Sequence, residues 1–391
     1  MASYEQFRGR NFVFLIGHIS QLGGAERQAL QLARMLRDTV GARVSFLGWS
    51  MRPGLMTDAL NAENIPVHIH PLDWRTQTGW RYSRLRRFSR LTGFARFVKK
   101  NVKPDFLLPY VGENSKVAAL IWRYSGSRYT WWNQRDEGRA IYGSRFEKWL
   151  LTKIPDVVSN SWEGKDFLVK AFAIDPERVR VINNAVVIPP LTDGMEWRAR
   201  LDLSGEQRLM LMVANLTRYK DHETLLRAFA IARNRSSAAR SCTLALAGRF
   251  GGTEQRLKSM AFDLGLGEVL RFLGPVSDIH PLYDAADLVV HSSYKEGCPN
   301  AVLEGMAHQK CVIGTDISGL RQALGEDGCE SFLAPREDAE QLASVMVRWL
   351  DDDEARAIAG QANRERIATE FSPDKHLQQV LEGIAAHSII R

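Results

Sequence analysis

The sequence predicts an α/β protein of two doubly wound domains, each built on a parallel sheet. Three observations carry this expectation. Short apolar runs alternate with longer amphipathic ones from end to end, the pattern of strands joined by crossover helices. The length of 391 residues exceeds what a single hydrophobic core usually supports. Pro189 and Pro190 interrupt the alternation near the middle, after which it starts again.

Residues 12–16, 44–47, 67–69, 106–109, 129–132, 157–159 and 179–182 read as the strands of the first half. Helical patterns fall between them, as where Ala25, Ala29, Leu32 and Leu36 recur at steps of four, three and four. After Ile182 the run N-N-A-V-V-I-P-P leads to the proline pair, which reads as an interdomain linker. Strands resume at 209–214, 244–247, 270–272, 288–291 and 312–314. Phe371, Ser372 and Pro373 then break the chain ahead of a final helix.

Hydrophobic content of 45% and charged content of 25% are those of a soluble globular protein, so long disorder is excluded. The first apolar run, Phe12 to Gly17, is too short for a secretory core, and no run has the length of a bilayer span. Cys242, Cys298, Cys311 and Cys329 show no metal-ligand spacing and read as reduced, partly buried thiols of a cytosolic protein. Charge is uneven: residues 1–190 carry 29 Lys+Arg against 16 Asp+Glu, whereas residues 191–391 carry 23 against 29. Between Trp74 and Pro104 there is no acidic residue, while Arg75, Arg81, Arg84, Arg86, Arg87, Arg90, Arg96, Lys99, Lys100 and Lys103 are basic. Leu85, Phe88, Leu91, Phe94, Ala95 and Val98 recur there at helical steps. Such a helix would lie on an anionic membrane surface, or pack its apolar face on the sheet, or do both.

Chemistry concentrates at residues 296–304, E-G-C-P-N-A-V-L-E. Proline suits the first position of a helix, where its missing N–H has no intrahelical partner, so a helix is expected to open near Pro299. Glu296 would then lie in the preceding loop and Glu304 on the second turn. The loop would offer unpaired backbone N–H groups and a positive dipole end to phosphate or hydroxyls. Two carboxylates would accept hydrogen bonds at two points along one ligand, as a sugar and a ribose supply. The alternative is a capped surface helix with two solvated glutamates.

Taken in order, the segments of the second half resemble retaining glycosyltransferases of family 4, which have the GT-B fold of two Rossmann-like domains facing across a cleft. The spacing of Glu296 and Glu304 is similar to their E-x7-E element. Val213 to Asp221, V-A-N-L-T-R-Y-K-D, resembles the strand-to-loop element that holds the donor diphosphate. Ala247-Gly248-Arg249 and Arg271-Phe272-Leu273-Gly274 resemble the nucleotide-proximal loops, and L-Y-D-A-A-D from Leu282, followed by a strand with Ser292 and Ser293, leads into Glu296. In the first half Gly23-Gly24-Ala25-Glu26 resembles the G-G-x-E turn that closes over the donor phosphates; it is not G-x-G-x-x-G, so a dinucleotide fingerprint is not supported. The resemblance implies domains at 1–187 and 188–372, with a terminal helix, 373–391, returning to the first.

It also implies roles. Glu296 would position the donor sugar and Glu304 hold the ribose, with Gly297, Cys298, Pro299, Asn300 and Ala301 fixing the sugar between them. Gly23, Gly24, Asn215, Gly248 and Arg249 would complete the donor site. Lys220 and Arg218 would neutralise the departing diphosphate. Relatives often carry an arginine five residues before the lysine, where this chain has Asn215, so Arg218 would act from a shifted place. On the acceptor side, relatives often place a histidine or another polar residue where this chain offers Tyr110, Glu113 and Asn114. Arg135, Asp136 and Glu137 follow the strand at 129–132, and would bind hydroxyls or form a solvated salt-bridged loop.

The implied activity is transfer of a hexose or N-acetylhexosamine, with retention, from a nucleotide diphosphate sugar to a lipid-linked glycan in cell-surface polysaccharide or oligosaccharide synthesis. A UDP-sugar is favoured as co-substrate and no cofactor is expected. With no Asp-x-Asp metal motif ahead of the site, activity should survive chelation. Residues 75–103 would hold the protein at the inner face of the cytoplasmic membrane, and no specific nucleic-acid partner is expected. The alternatives are a GT-B enzyme with a soluble acceptor, a nucleotide-sugar epimerase, and a non-enzymatic basic membrane-tethering protein.

Overall fold

The computed structural model describes residues 4–72, 84–110, 112–135, 138, 143–205 and 207–387, and for 84–88 the backbone alone. The chain divides into two compact units, Met1–Asn184 with Pro373–Arg391, and Ala185–Ser372. The chain thus leaves unit 1 just before the point that the proline pair suggests, and it re-enters at the final helix.

Unit 1 holds a seven-stranded sheet in the order β3-β2-β1-β4-β5-β6-β7. Its strands are β1 (Asn11–Ile19), β2 (Arg43–Met51), β3 (Val67–Ile69), β4 (Phe106–Pro109), β5 (Tyr129–Gln134), β6 (Asp156–Ser159) and β7 (Val179–Val181). All pairs are parallel. The helices are α1 (Gly24–Asp38), α2 (Leu55–Ala62), α3 (Arg84–Phe97), α4 (Gly112–Ser125), α5 (Arg145–Leu151) and α6 (Trp162–Phe172), with α16 (Pro373–His387) from the end of the chain. Successive strand side chains point to opposite faces. Phe12 and Phe14 of β1 therefore pack with Leu32 and Leu36 of α1, Met56 and Leu60 of α2, and Leu377, Val380 and Ile384 of α16. Val13 and Leu15 face the other way, onto Phe94 of α3 and Val117 and Ile121 of α4. Leu150 of α5 and Leu168 of α6 extend that second layer over Trp132 and Val157. Helix α16 is fixed through Arg180, whose Nη1 donates to the Gln379 carbonyl at 3.0 Å while its Nε donates to Asp156 at 3.2 Å. A Cβ on Gly383 would lie 1.8 Å from that guanidinium, so the glycine leaves room for Arg180 in this position.

The amphipathic pattern of residues 84–103 is used inside this unit. Phe94, Ala95 and Val98 are buried in the core, leaving Arg90, Arg96, Lys99 and Lys100 exposed. Of the two readings of this stretch, packing on the sheet holds for these side chains; Leu91 and Phe97 are half-buried, and the side chains of 84–88 lie outside the described residues. Residues 75–83 lie outside the described residues. Among the described residues no helix is long and apolar enough to cross a membrane.

Unit 2 holds a six-stranded sheet in the order β10-β9-β8-β11-β12-β13. Its strands are β8 (Leu209–Val213), β9 (Thr243–Ala247), β10 (Leu270–Gly274), β11 (Leu288–His291), β12 (Cys311–Thr315) and β13 (Leu333–Ala334), again parallel. The helices are α7 (Met195–Arg200), α8 (His222–Arg235), α9 (Ser237–Arg240), α10 (Glu254–Asp263), α11 (His280–Ala285), α12 (Asn300–Ala307), α13 (Ser318–Leu324), α14 (Ala339–Asp351) and α15 (Asp353–Glu370). Met210, Leu244, Val290 and Ile313 face α8 and α14, and Leu211, Ala245, Val289 and Val312 face α11, α12 and α13. The twelve expected strands are all present; β13, two residues long within the short run 332–334, is not among them. All four cysteines are free and buried.

Candidate active site

In an open parallel sheet, ligands bind beyond the carboxyl ends of the strands where the strand order reverses. In unit 2 that point lies between β8 and β11, and the loops leaving these strands are the two richest in candidate residues. The β8 loop is fastened to the loop after β9. Asn215 Oδ1 accepts from the Arg249 amide at 3.2 Å, and the Leu216 amide donates to the Arg249 carbonyl at 2.8 Å. A Cβ on Gly248 would fall 1.9 Å from the Ala214 carbonyl oxygen, so this close approach requires glycine. Asn215 and Arg249 are exposed.

The chain then makes a 3-10 turn over Arg218–Lys220 and enters α8 through Asp221, whose carboxylate caps the helix by accepting from the Thr224 amide at 3.3 Å. This turn sends Lys220 and Arg218 to different places. Lys220 forms an ion pair with Glu296. Arg218 is exposed and, among the described residues, its side chain has no partner.

Glu296 is 7% exposed. Besides the ammonium it meets His291 Nε2 at 3.7 Å and Ser293 Oγ at 3.3 Å. Ser293 is itself fixed, its amide donating to Thr315 Oγ1 at 2.9 Å while the Thr315 hydroxyl donates to the Ser293 carbonyl at 2.8 Å. The Tyr294 amide donates to the Tyr219 carbonyl at 3.0 Å, which joins the β8 and β11 loops by their backbones. Burial alone would push the Glu296 carboxyl up, but the Lys220 ammonium and His291 outweigh it and hold it at about 2. Burial pushes His291 down, with Lys220 adding to the effect. Burial likewise takes His222, the first residue of α8, to about 3, aided by His291 and Lys220. Among the described residues, neither ring nitrogen of His222 or His291 has a hydrogen-bond partner. The cluster at neutral pH is thus one carboxylate and one ammonium beside two neutral imidazoles.

Pro299 occupies the N-cap position and α12 begins at Asn300, one place later than the first helical position that proline favours. Gly297, Cys298 and Pro299 are buried, and Asn300 and Ala301 are half-buried. Glu304 lies on the second turn, half-buried, with the Tyr283 hydroxyl 3.4 Å from Oε2 and donating to the Ala301 carbonyl at 2.8 Å. The 296–297 backbone rests on α13. A Cβ on Gly319 would lie 2.5 Å from the Gly297 oxygen and 2.7 Å from that of Glu296.

In unit 1 the corresponding reversal lies between β1 and β4. Gly23 caps α1 and Gly24 opens it. Tyr110 is fully buried, its hydroxyl has no partner among the described residues, and burial pushes the phenol up to about 12. The Arg135 guanidinium lies over its ring, 5.2 Å from the centroid, and donates from Nη2 to Asn184 Oδ1 at 2.5 Å. Asn114 acts as a brace: its amide donates to the Ile16 carbonyl at 2.8 Å and to that of Tyr110, tying the β1 and β4 loops together. Glu113 pairs with Lys116 at 2.9 Å. Asp136 and Glu137 lie outside the described residues.

His291, Ser293, Thr315, Gly319 and His222 are the site neighbours that the residue patterns did not single out for a role. The two serines before Glu296 were a visible signal, and so was a histidine directly after Lys220-Asp221. Gly319 was not legible, because only the folded chain shows what its missing Cβ would strike.

Two doubly wound domains with an ion-paired loop at the reversal of the second sheet define a protein of the GT-B class. Residues 193–366 match the model of "Glycosyl transferases group 1" and residues 22–188 that of "Glycosyltransferase Family 4". The chain belongs to this family of glycosyltransferases. A D-inositol 3-phosphate glycosyltransferase of Corynebacterium kroppenstedtii is 27% identical over 249 residues, 60% of this chain and 55% of that one. The chain spans about half the length of the curated relatives it matches. Among solved structures, Anabaena HepE in complex with UDP superposes with a TM-score of 0.80 at 20% identity, covering 96% of this chain and 100% of that one. The lipopolysaccharide outer core galactosyltransferase WaaB superposes with a TM-score of 0.69 at 15% identity, covering 96% and 99%.

Proposed function

We propose that the protein is a retaining glycosyltransferase that works without a metal ion, moving a hexose or N-acetylhexosamine from a nucleotide diphosphate sugar to a lipid-linked glycan. The observation that carries this reading is the Lys220–Glu296 ion pair, which sets a cation beside an ionised carboxylate at the carboxyl ends of β8 and β11. With a donor bound, Lys220 would turn to the diphosphate and stabilise the charge that grows as the bond from the anomeric carbon to the phosphate oxygen breaks. Glu296 would accept a hydrogen bond from a sugar hydroxyl. The acceptor oxygen forms its bond to the anomeric carbon on the same face, and its proton passes to the departing phosphate oxygen, so no covalent enzyme intermediate is required. Glu304, Asn300 and the backbone of 297–301 would hold the rest of the donor.

HepE, crystallised with UDP, supports a UDP-sugar as donor. The lipopolysaccharide substrate named for WaaB supports a lipid-linked acceptor, and with it a place at the inner face of the cytoplasmic membrane. The inositol phosphate named for the Corynebacterium relative favours the second reading, a soluble acceptor. The test is a thermal-shift panel of UDP, GDP, ADP and dTDP followed by product analysis. The expected result is stabilisation by UDP alone, transfer that survives EDTA, and a product with the donor's anomeric configuration. Stabilisation by oligonucleotides and by no nucleoside diphosphate would overturn the reading, and inversion or loss with EDTA would overturn its mechanism.

A further inference from the structure

We infer that unit 1 docks on an anionic lipid surface through the outer side of α5 and the end of α4, with Phe146 and Trp149 as the inserted side chains. The inference rests on the lipid-linked acceptor reading and names the surface that would serve it. Helix α5 is attached to the unit by Leu150 and Leu151, both buried, and by Glu147. That carboxylate is 2% exposed, pairs with Lys116 at 2.8 Å, and accepts from the Ser144 amide at 2.9 Å in a capping box. The only acid of the helix is thus turned inward. Arg145, Phe146, Lys148 and Trp149 face solvent, followed by Lys153.

The aromatic pair is exposed to a degree that folding does not explain. Phe146 and Trp149 are 44% and 47% exposed, and they stack on each other with centroids 5.9 Å apart and planes at 23°. Lys153 Nζ lies 5.3 Å from the Trp149 centroid. The Lys153 carbonyl accepts from Trp122 Nε1 at 3.1 Å, which connects this patch to the end of α4. There Tyr124 is 50% exposed beneath Lys99 at 5.8 Å. Arg90, Arg96, Lys100 and Arg123 are exposed on the same helix layer. Among the described residues from 84 to 153 the acids are Asp105, Glu113 and Glu147, and each is paired with an Arg or Lys.

Tryptophan, tyrosine and lysine side by side are the composition of a membrane–water interface, where the ring enters the headgroup boundary and the ammonium stays with anionic phosphates. Each nearby cation multiplies affinity for such a surface roughly fivefold. A nucleic acid would stack its bases on free ring faces. Here Phe146 and Lys153 already lie against Trp149, which leaves ring edges to insert. Among the described side chains, residues 89–103 supply mainly charge, since Phe94 and Val98 are in the core and Leu91 and Phe97 pack half-buried against it. The attractive field and the inserted anchor therefore come from different helices.

The experiment is flotation of the full chain with vesicles of phosphatidylcholine alone or mixed with phosphatidylglycerol. The wild-type protein should float with the anionic vesicles and release in high salt. Phe146→Ala/Trp149→Ala should lower the bound fraction by roughly tenfold or more, as loss of buried aromatic area implies. Lys148→Glu/Lys153→Glu should abolish binding. Phe262→Ala, which removes an 83% exposed aromatic from α10 in unit 2, should change nothing. All these side chains are exposed, so unchanged thermal midpoints by circular dichroism should accompany the losses. Wild-type protein that does not float, an aromatic double variant that floats as well as wild type, or a variant that loses oligonucleotide binding with vesicle binding intact would each overturn the inference. Sugar transfer to a detergent-dispersed acceptor separates this from the transferase reading. Transfer without flotation removes the docking surface alone, and flotation through Phe146 and Trp149 without any transfer removes the activity alone.

Discussion

Among the described residues, the carboxyl-end edge of unit 2 is organised around charge, and that of unit 1 around neutral polar groups. In unit 2 an ammonium and a carboxylate neutralise each other inside a shell of serine, threonine and two uncharged histidines. In unit 1 the groups at the strand ends are Tyr110, Asn114, Asn133, Asn160 and Asn184, all buried, with Arg135 lying on the Tyr110 ring. Tyr110 Oη, Asn133 Oδ1 and Asn160 Oδ1 have no hydrogen-bond partner among the described residues. A buried polar atom left without a partner is costly, of the order of 1–3 kcal/mol. An ion pair suits a ligand of fixed chemistry, such as a diphosphate, whereas scattered amides and a phenol suit hydroxyls whose arrangement varies between acceptors.

Replacing the charges should therefore have the largest effect. Lys220→Ala removes the cation from the leaving group and should lower kcat by about two to three powers of ten, the range seen when one preorganised donor to a developing anion is lost. Glu296→Ala should lower kcat/KM by about one to two powers of ten, since one hydrogen bond to a charged group is worth roughly 1.5–3 kcal/mol. The double variant should fall short of the product of the two, because each single change leaves a buried charge unpaired. Steady-state kinetics of the three proteins measure this, and strict multiplicativity would mean that the two side chains do not act as a pair. The same pair sets an acid limit. Glu296 is held at about 2 against an ordinary 4.5, so its contribution to stability is full above about 4.5 and is lost as pH falls toward about 2. Urea midpoints measured across that window should fall for the wild-type protein and flatten for Glu296→Gln. In Lys220→Ala, burial acts on the carboxyl unopposed by the ammonium, so the acid limb of kcat/KM should move to higher pH.

Gly319→Ala tests whether the backbone under Glu296 matters as much as its partners. The new Cβ would meet two carbonyl oxygens of the 296–297 segment, neither of which is the end of a flexible side chain. Overpacking of this kind costs roughly 1–3 kcal/mol, and the displaced loop should lower kcat more than it changes KM. A crystal structure or urea titration indistinguishable from wild type would show that the loop has room to give.

That contact also marks the limit of what the residue order reveals. The strands were legible because parallel strands buried on both faces read as short apolar runs, and every such run became a strand. The loop from Glu296 was legible because its glycine, proline and two acids stand within nine consecutive residues. The pairing of Glu296 with Lys220 was not, because seventy-five residues separate them and only the adjacency of β8 and β11 brings them together. Asn114 was singled out as an acceptor-side candidate; its amide donates to two backbone carbonyls, and nothing in a lone asparagine tells a brace from a binding group. The basic helix was ambiguous for a related reason: one apolar stripe serves a core and a membrane equally well in sequence, and burial shows the core role of Phe94, Ala95 and Val98.

On the neutral edge the effect should be smaller and different in kind. Tyr110→Phe deletes a buried hydroxyl that has no partner among the described residues, so the thermal midpoint should hold or rise slightly. If the hydroxyl meets the acceptor, transfer should fall by up to roughly tenfold, the worth of one neutral hydrogen bond, with hydrolysis of the donor in water unchanged. A loss of donor hydrolysis as large as that of Lys220→Ala would break the contrast between the two edges.

Arg218 should give the smallest change and is the sharpest test of which cation the charged edge uses. It belongs to the same 3-10 turn as Lys220, yet its side chain is exposed and has no partner among the described residues. An exposed charge acts through water, where a single interaction is worth about 0.2–1 kcal/mol and is screened by salt. Arg218→Ala should therefore lower kcat/KM by roughly fivefold at most, mainly through KM, and the difference should shrink as ionic strength rises. If instead the variant loses as much kcat as Lys220→Ala, independent of salt, then Arg218 reaches the diphosphate directly, and the charged edge neutralises its leaving group with two cations acting together.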